Sequence, residues 1–332
     1  MTGRERIKAL LGNEQTDRHP FMPVTMMLAG DAIGAKYGIY ATDYRVLAEG
    51  QIAVAEKFDI DHVSVISDPA VEAHDWGAVI CYYDNQPPAV DERAALVSDK
   101  AGLLSLKAPD PYAGKRMLNR IRAVELLREK AGGDRLVEGW VEGPAAESAD
   151  LRGINHLMLD LIDDPEFIND LFGMVTDTAI AFALAQVKAG ADIIGVGDAA
   201  ASLVGPALYE DLVLKYEQRL VDAIHGAGGL VRLHICGNTT DLCRGMGTLG
   251  SDIIDLDSLC PLKKARADMG PNQALLGNID PVRVLRNGKP EDIRRETKAC
   301  RDAAGQKYII GAGCEIPRDT PFENIHAMRT FM

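Results

Sequence analysis

Residues 230–238, LVRLHICGN, form a short apolar run that ends in a His-x-Cys pair and leaves through Gly-Asn. Side chains two apart on a β-strand share a face, so His234 and Cys236 point the same way while Ile235 packs outward. A second run, YIIGAGC at 308–314, ends in Cys314. One imidazole and two thiols at the ends of two separate β segments make a three-donor zinc set. Structural zinc is normally closed by four protein donors, and three leave a coordination position for chemistry. Thiolate with imidazole suits zinc better than iron or copper, and the cysteines show no cluster-type run. A lone His-x-Cys is a weak signal, and the third soft donor gives it weight.

Outward from that stretch, eight apolar runs bounded by Gly, Pro or Asp read as β segments: 19–24, 62–67, 136–143, 192–198, 230–236, 252–258, 274–280 and 308–314. Longer stretches of helical period separate them, notably 43–58, 112–133, 165–191 and 207–229. This alternation predicts an α/β fold, a (β/α)8 TIM barrel, as a single domain over residues 1–332 with an N-terminal helix and a capping excursion at about 68–111. Chemistry in such barrels sits at the C-terminal strand ends. The polar residues there are Asp68, Glu142, Asp198, His234, Cys236, Asp257, Asp280 and Cys314.

Asp257, Asp198 and Glu142 are the catalytic candidates. Asp257 either supplies a fourth ligand that substrate displaces or caps the next helix. Cys260 competes for that fourth position. Asp198, Glu142 and Asp68 either shape a substrate pocket or are buried, hydrogen-bonded barrel carboxylates. Strand alternation turns Glu315 away from the ion, and Gly237-Asn238 leads into a helix expected from about Thr239. The centre that two thiolates and a neutral imidazole make of zinc is close to formal neutrality, which favours activation of a substrate thiol over activation of water. No cofactor-binding residues can be assigned. DAIHGAGG (222–229) has the wrong Asp-to-His spacing for a corrinoid ligand, and GVGDAA (195–200) lacks the glycines of a nucleotide loop.

Composition narrows the class. A net charge of −13 over 332 residues works against nucleic-acid binding, which needs clustered Lys and Arg. The charged start MTGRERIKALLGN does not read as a signal peptide, and no run approaches the roughly 20 apolar residues of a membrane span. Six cysteines without framework spacing are expected to stay reduced. A cytoplasmic protein with no nucleic-acid or membrane partner is expected, and a homodimer is compatible with this reading.

Several motifs together resemble the uroporphyrinogen decarboxylase superfamily, in its cobamide-dependent branch of methylcobamide:coenzyme M methyltransferases. They are SDP-x-x-EA-x-x-WGA at 67–78, EGP at 142–144, D-x-x-AS from Asp198 to Ser202, HICGN at 234–238, GNIDP at 277–281 and GAGCEIPRDTPFENIHAM at 311–328. The resemblance covers nearly the whole chain. It implies that His234, Cys236 and Cys314 hold Zn2+, and that a separate corrinoid protein supplies methylcobalamin. A thiol such as coenzyme M, activated at the metal, would take the methyl group. The reverse direction, from an O-, N- or S-methyl compound to the corrinoid protein, is the alternative. Decarboxylases of this superfamily resemble one another in an arginine-rich R-Q-A-G-R segment near the N-terminus. Here that stretch reads FMPVTMMLAGDAIG, without arginine, which argues against porphyrin decarboxylation.

Overall fold

The computed structural model describes residues 1–331. Its strands are β1 (His62–Ser64), β2 (Ile80–Cys81), β3 (Ala89–Val90), β4 (Leu136–Glu142), β5 (Ile193–Gly197), β6 (Leu230–Ile235), β7 (Ile253–Leu256), β8 (Ala274–Leu276) and β9 (Tyr308–Ile309). Seven of them form one parallel sheet in the order β1-β4-β5-β6-β7-β8-β9, with helices between, and β2 pairs with β3 in an antiparallel hairpin. The alternation predicted from sequence is therefore present, with strand β1 and strands β4 to β9 matching seven of the eight expected runs.

The eighth run, 19–24, is not a strand. Pro20 and Pro23 bring no N–H to a ladder, and only Phe21 bridges, in parallel, to Ile310. Met22 N donates to Ile310 O at 2.9 Å and Ile310 N to Pro20 O at 2.8 Å. On the other side Asp61 N donates to Phe21 O, and the Asp61 carboxylate accepts from Phe21 N at 2.7 Å. Asp61 also receives Arg6 and Arg18. The Asp61 side chain thus reinforces a closure that the backbone makes with few bonds.

Alternation along the strands sorts the interior into layers. Ile7 and Leu10, from the helix Gly3–Leu11, pack with Leu136, Ile193, Ile253, Ala274, Leu276 and Ile309 and plug the N-terminal end. Above them lies a charged layer of Glu138, Arg232 and Asp255, all buried. Outward-facing Val137, Ile194, Val231, Leu233, Ile254 and Leu275 join the core beneath the helices, each contributing about 1.5–3 kcal/mol by burial. The helix Pro165–Ala189 is long and apolar enough to cross a membrane, contrary to the reading that no such run exists. Its apolar face, including Phe167, Leu171, Phe172 and Phe182, is buried against β4 and neighbouring helices, so packing accounts for its composition.

Segment 68–111 carries the helix Ala70–Trp76, the β2–β3 hairpin and the helix Lys100–Ser105. The hairpin tip meets residues 36–38, where Gly38 N donates to Asp84 O at 3.0 Å. Gly237 takes φ +92°, a left-handed turn suited to glycine. The helix expected from about Thr239 is confined to Cys243–Met246, because Thr240 N and Oγ1 bond instead to the Asn238 side chain.

Candidate metal centre

His234, near the end of β6, and Cys236, just beyond it, face inward as the two-residue spacing requires. Cys314 arrives from the irregular segment after β9. The three ligand atoms lie within 4.8 Å of one another, with His234 Nε2 2.9 Å from Cys236 Sγ and the two sulfurs 3.8 Å apart. Three soft or borderline donors converging on one point suit zinc with a position left open.

His234 is oriented from below. Its Nδ1 lies 3.0 Å from Asp255 Oδ2, close enough for an ion pair though off the line of a straight hydrogen bond. Asp255 faces His234 across the β6–β7 register and accepts from Arg232 Nη2 at 2.6 Å and Nε at 3.1 Å. Arg232 Nη1 continues to Glu138 Oε1 at 3.1 Å, and His62 Nε2 stands 3.5 Å from Glu138 Oε2. A carboxylate at Nδ1 leaves Nε2 for a metal. Burial pulls the His234 pKa down, yet the Asp255 charge outweighs it and raises it to about 10. Hydrogen bonding from Cys236, and then from His234, lowers the Cys314 thiol to about 5, and that sharing pushes Cys236 up.

These donors open into a cavity of about 190 Å³. Its wall includes Met26, Ile66, Asp68, Trp140, Glu142 and Glu315. Trp140 fits because β5 carries glycine opposite it: a Cβ on Gly195 would lie 2.1 Å from Trp140 Cε3. Trp140 Nε1 donates to Glu142 Oε1 at 3.1 Å. Burial, then the neighbouring Glu72, pushes Glu142 well above the carboxylate range. Burial likewise raises Glu315 to about 7. A larger cleft of about 680 Å³, lined by Tyr44, Arg45 and Lys130 among others, lies on the outer helices and contains none of these donors.

The other candidates fall in different places. Asp257 lies outside the three-donor cluster, and its carboxylate accepts from Gly237 N and Leu259 N, both at 2.9 Å. Asp198 is fully buried and accepts from Ala146 N at 2.6 Å, at the start of the helix Pro144–Arg152. Burial raises it to about 7. Asp280 accepts from Val282 N and Arg283 N. Cys260 is not a fourth ligand here: it is buried with its sulfur 3.4 Å from Cys243 Sγ, outside the cluster. Glu315 corrects the alternation argument. The strand ends at Ile309, alternation does not extend past it, and Glu315 lines the same cavity as Cys314.

Asp255, Arg232, Glu138 and Trp140 were not singled out from sequence. An arginine inside LVRLHIC was the available signal, since a strand interior admits Arg only with buried partners.

Comparison with known proteins gives consistent results. The pattern described as uroporphyrinogen decarboxylase (URO-D) matches residues 2–332. The methylcobamide:CoM methyltransferase MtbA of Methanosarcina mazei is 31% identical, over 98% of this chain and 96% of the relative. A uroporphyrinogen decarboxylase of Rhodococcus erythropolis is 30% identical over 82% of this chain and 75% of its own length. Among solved structures, a methyltransferase from Methanosarcina mazei superposes with a TM-score of 0.90 at 24% identity, covering 100% of this chain and 98% of the other, which shows a shared fold.

Proposed function

The chain belongs to the uroporphyrinogen decarboxylase family, and from that premise we propose that it is a zinc-dependent methyltransferase that moves a methyl group between a methyl-corrinoid and a thiol. The corrinoid comes on a separate protein, and coenzyme M is the thiol acceptor in its relatives' names. The observation that carries the reading is the convergence of His234, Cys236 and Cys314 at the mouth of a small cavity.

We assign those three residues as the zinc ligands. Zinc held there would lower the pKa of an incoming thiol so that its sulfur is nucleophilic near neutral pH. Asp255 holds the imidazole in the tautomer that presents Nε2. Asp198 and Asp257 shape the mouth through the backbone amides they accept. Glu142 and Trp140 form the wall that orients the bound molecule, and orientation of this kind contributes several kcal/mol to a transfer. A cavity of about 190 Å³ is below the roughly 300–1,000 Å³ of clefts for drug-sized ligands, which suits a small thiol and not a tetrapyrrole. The reading places the protein in the cytoplasm, where thiols stay reduced.

Metal analysis coupled to a methylcobalamin assay tests this. Expected are stoichiometric zinc, thiol-dependent loss of methylcobalamin, and loss of both in Cys314→Ser. Methylation of Co(I) by a methylated compound, with no thiol activity, would assign the opposite direction. A protein that binds no zinc and leaves methylcobalamin intact would end the proposal.

A further inference from the structure

The metal reading uses Cys236 and Cys314 and leaves a second sulfur pair without a role. Cys243, which opens the short helix Cys243–Met246, and Cys260, on the loop after β7, are both buried with their sulfurs 3.4 Å apart. The main chain of Cys260 is fixed on both sides: its N–H donates to Asp257 O at 3.0 Å, and its carbonyl accepts from Asn278 Nδ2 at 2.6 Å. A disulfide needs sulfurs about 2.0 Å apart, so this pair must close by about 1.4 Å. Hydrogen bonding from Cys243 outweighs burial and brings the Cys260 thiol down to about 7, and the same sharing pushes Cys243 up. One sulfur is therefore prepared as a nucleophile, and a protonated thiol stands beside it to resolve what forms. Leu259, Pro261, Asp241 and Arg244, next to the pair in the chain, are exposed, so a water-sized oxidant reaches it by local opening of these loops.

We propose that Cys243 and Cys260 are an oxidative modification site: a hydroperoxide converts them to an intramolecular disulfide, and the cross-link loosens zinc at the neighbouring centre. First the Cys260 thiolate attacks one peroxide oxygen; an S–O bond forms, the O–O bond breaks, and the other oxygen leaves as hydroxide, which takes up the thiol's proton. Then the Cys243 sulfur attacks the Cys260 sulfenic acid; the S–S bond forms, the S–O bond breaks, and the hydroxyl leaves as water with the Cys243 proton. Two thiols and one hydrogen peroxide become one disulfide and two waters, each sulfur giving up one electron. The link to the metal is short. Residues 237–242 join Cys236 to Cys243, and Asp257, on the loop that holds Cys260, accepts from Gly237 N at 2.9 Å. Drawing Cys243 to Cys260 moves the two loops that this bond spans, which shifts the backbone beside a zinc ligand and weakens its support. The zinc part rests on the assignment of His234, Cys236 and Cys314 as ligands, and the disulfide does not.

The test treats zinc-loaded protein with hydrogen peroxide, alkylates and digests it, and reads the peptides by mass spectrometry. Competition with a chromophoric chelator gives the zinc affinity. Expected are a Cys243–Cys260 linked peptide, its disappearance with dithiothreitol, and a fall in zinc affinity of about tenfold that the same reductant reverses. Cys260→Ser should form no linked peptide and keep its zinc affinity under the same treatment, with Cys260→Ala in its place if the serine variant does not fold. Cys243→Ser should stop at an oxidised Cys260 with no link. Linkage of Cys236 to Cys314 instead, no linkage at all, a linked form that holds zinc within about twofold of the untreated protein, or an equal loss of zinc in the Cys260 variant would overturn the inference. Untreated protein that binds no zinc fails the ligand assignment, and the linked peptide then still decides whether the modification site exists.

Discussion

Replacing Asp255 by Asn removes the charge that faces His234 Nδ1 and changes little else in shape. The wild-type carboxylate is buried, 3.0 Å from the imidazole and 2.6 Å from Arg232 Nη2. Loss of a carboxylate behind a metal-binding histidine typically costs about 10–100-fold in metal affinity, or roughly 1.4–2.7 kcal/mol. Removing one partner of a buried ion pair can cost about 3–5 kcal/mol of stability. Here Arg232 keeps Glu138 at 3.1 Å and Asn keeps an acceptor oxygen, so about 2 kcal/mol or less is expected. Competition with a chromophoric chelator at fixed pH gives the zinc affinity, and urea unfolding gives the stability. Asp255→Asn should weaken zinc by at least tenfold while remaining folded. A variant whose zinc affinity stays within about twofold of wild type would refute the argument that this carboxylate sets up the ligand.

Three further outcomes are expected. Burial raises Asp150 to about 8, so the folded state holds a proton that the unfolded chain has already lost. Stability should therefore be greater at low pH and fall as pH rises through that value, by roughly 2 kcal/mol between about pH 6.5 and 8.5 from this group alone. Urea midpoints across that range measure it, and a flat or rising profile in wild type, or an unaltered slope in Asp150→Asn, would contradict it. Gly195→Ala puts a Cβ 2.1 Å from Trp140 Cε3 and should destabilise by about 1–3 kcal/mol, with a changed near-ultraviolet dichroism of the tryptophan; wild-type stability and spectrum would argue against that packing. Leu203 and Leu259 are exposed just after β5 and β7, on the face that the proposed corrinoid partner would approach. Leu259→Asp should slow transfer from the protein-bound corrinoid about tenfold and spare transfer from free methylcobalamin, and equal effects on both would remove Leu259 from the contact.

Period-two alternation ending in polar residues made seven of the sheet strands and the convergence of His234 and Cys236 readable, because strand geometry sends residues 234 and 236 to one side whatever surrounds them; Cys314 joins them from the irregular segment past β9, where alternation no longer applies. The first run misled for a local reason: its hydrophobicity suits a strand, but two prolines cap its hydrogen bonding at a single bridge. Asp257 drew attention over Asp255 because it stands nearer the strand end, where barrel chemistry gathers. Which carboxylate meets the histidine depends on the β6–β7 register, which places His234 beside Asp255 and which no single strand encodes. Glu315 was misjudged by carrying strand alternation into a segment that has ceased to be a strand. Glu142, Glu147 and Asp150 stand close together in the sequence, at the end of β4 and on the helix Pro144–Arg152, but their crowding against Glu72 was hidden because that acid comes from the distant helix Ala70–Trp76.

The join at Phe21 has a mechanical consequence. The run at Phe21 is held by main-chain bonds to Ile310 on one side and, on the other, by a single main-chain bond from Asp61 N that the Asp61 carboxylate doubles by accepting from Phe21 N. Val24 and Met26, just past this join, are part of the cavity lining. With Pro20 and Pro23 adding no N–H, the ladder on the Asp61 side is short, and amide exchange at Phe21 should outpace that of β4 and β5. The side of the chamber expected to yield first to an arriving molecule is the one where the two prolines shorten the lacing.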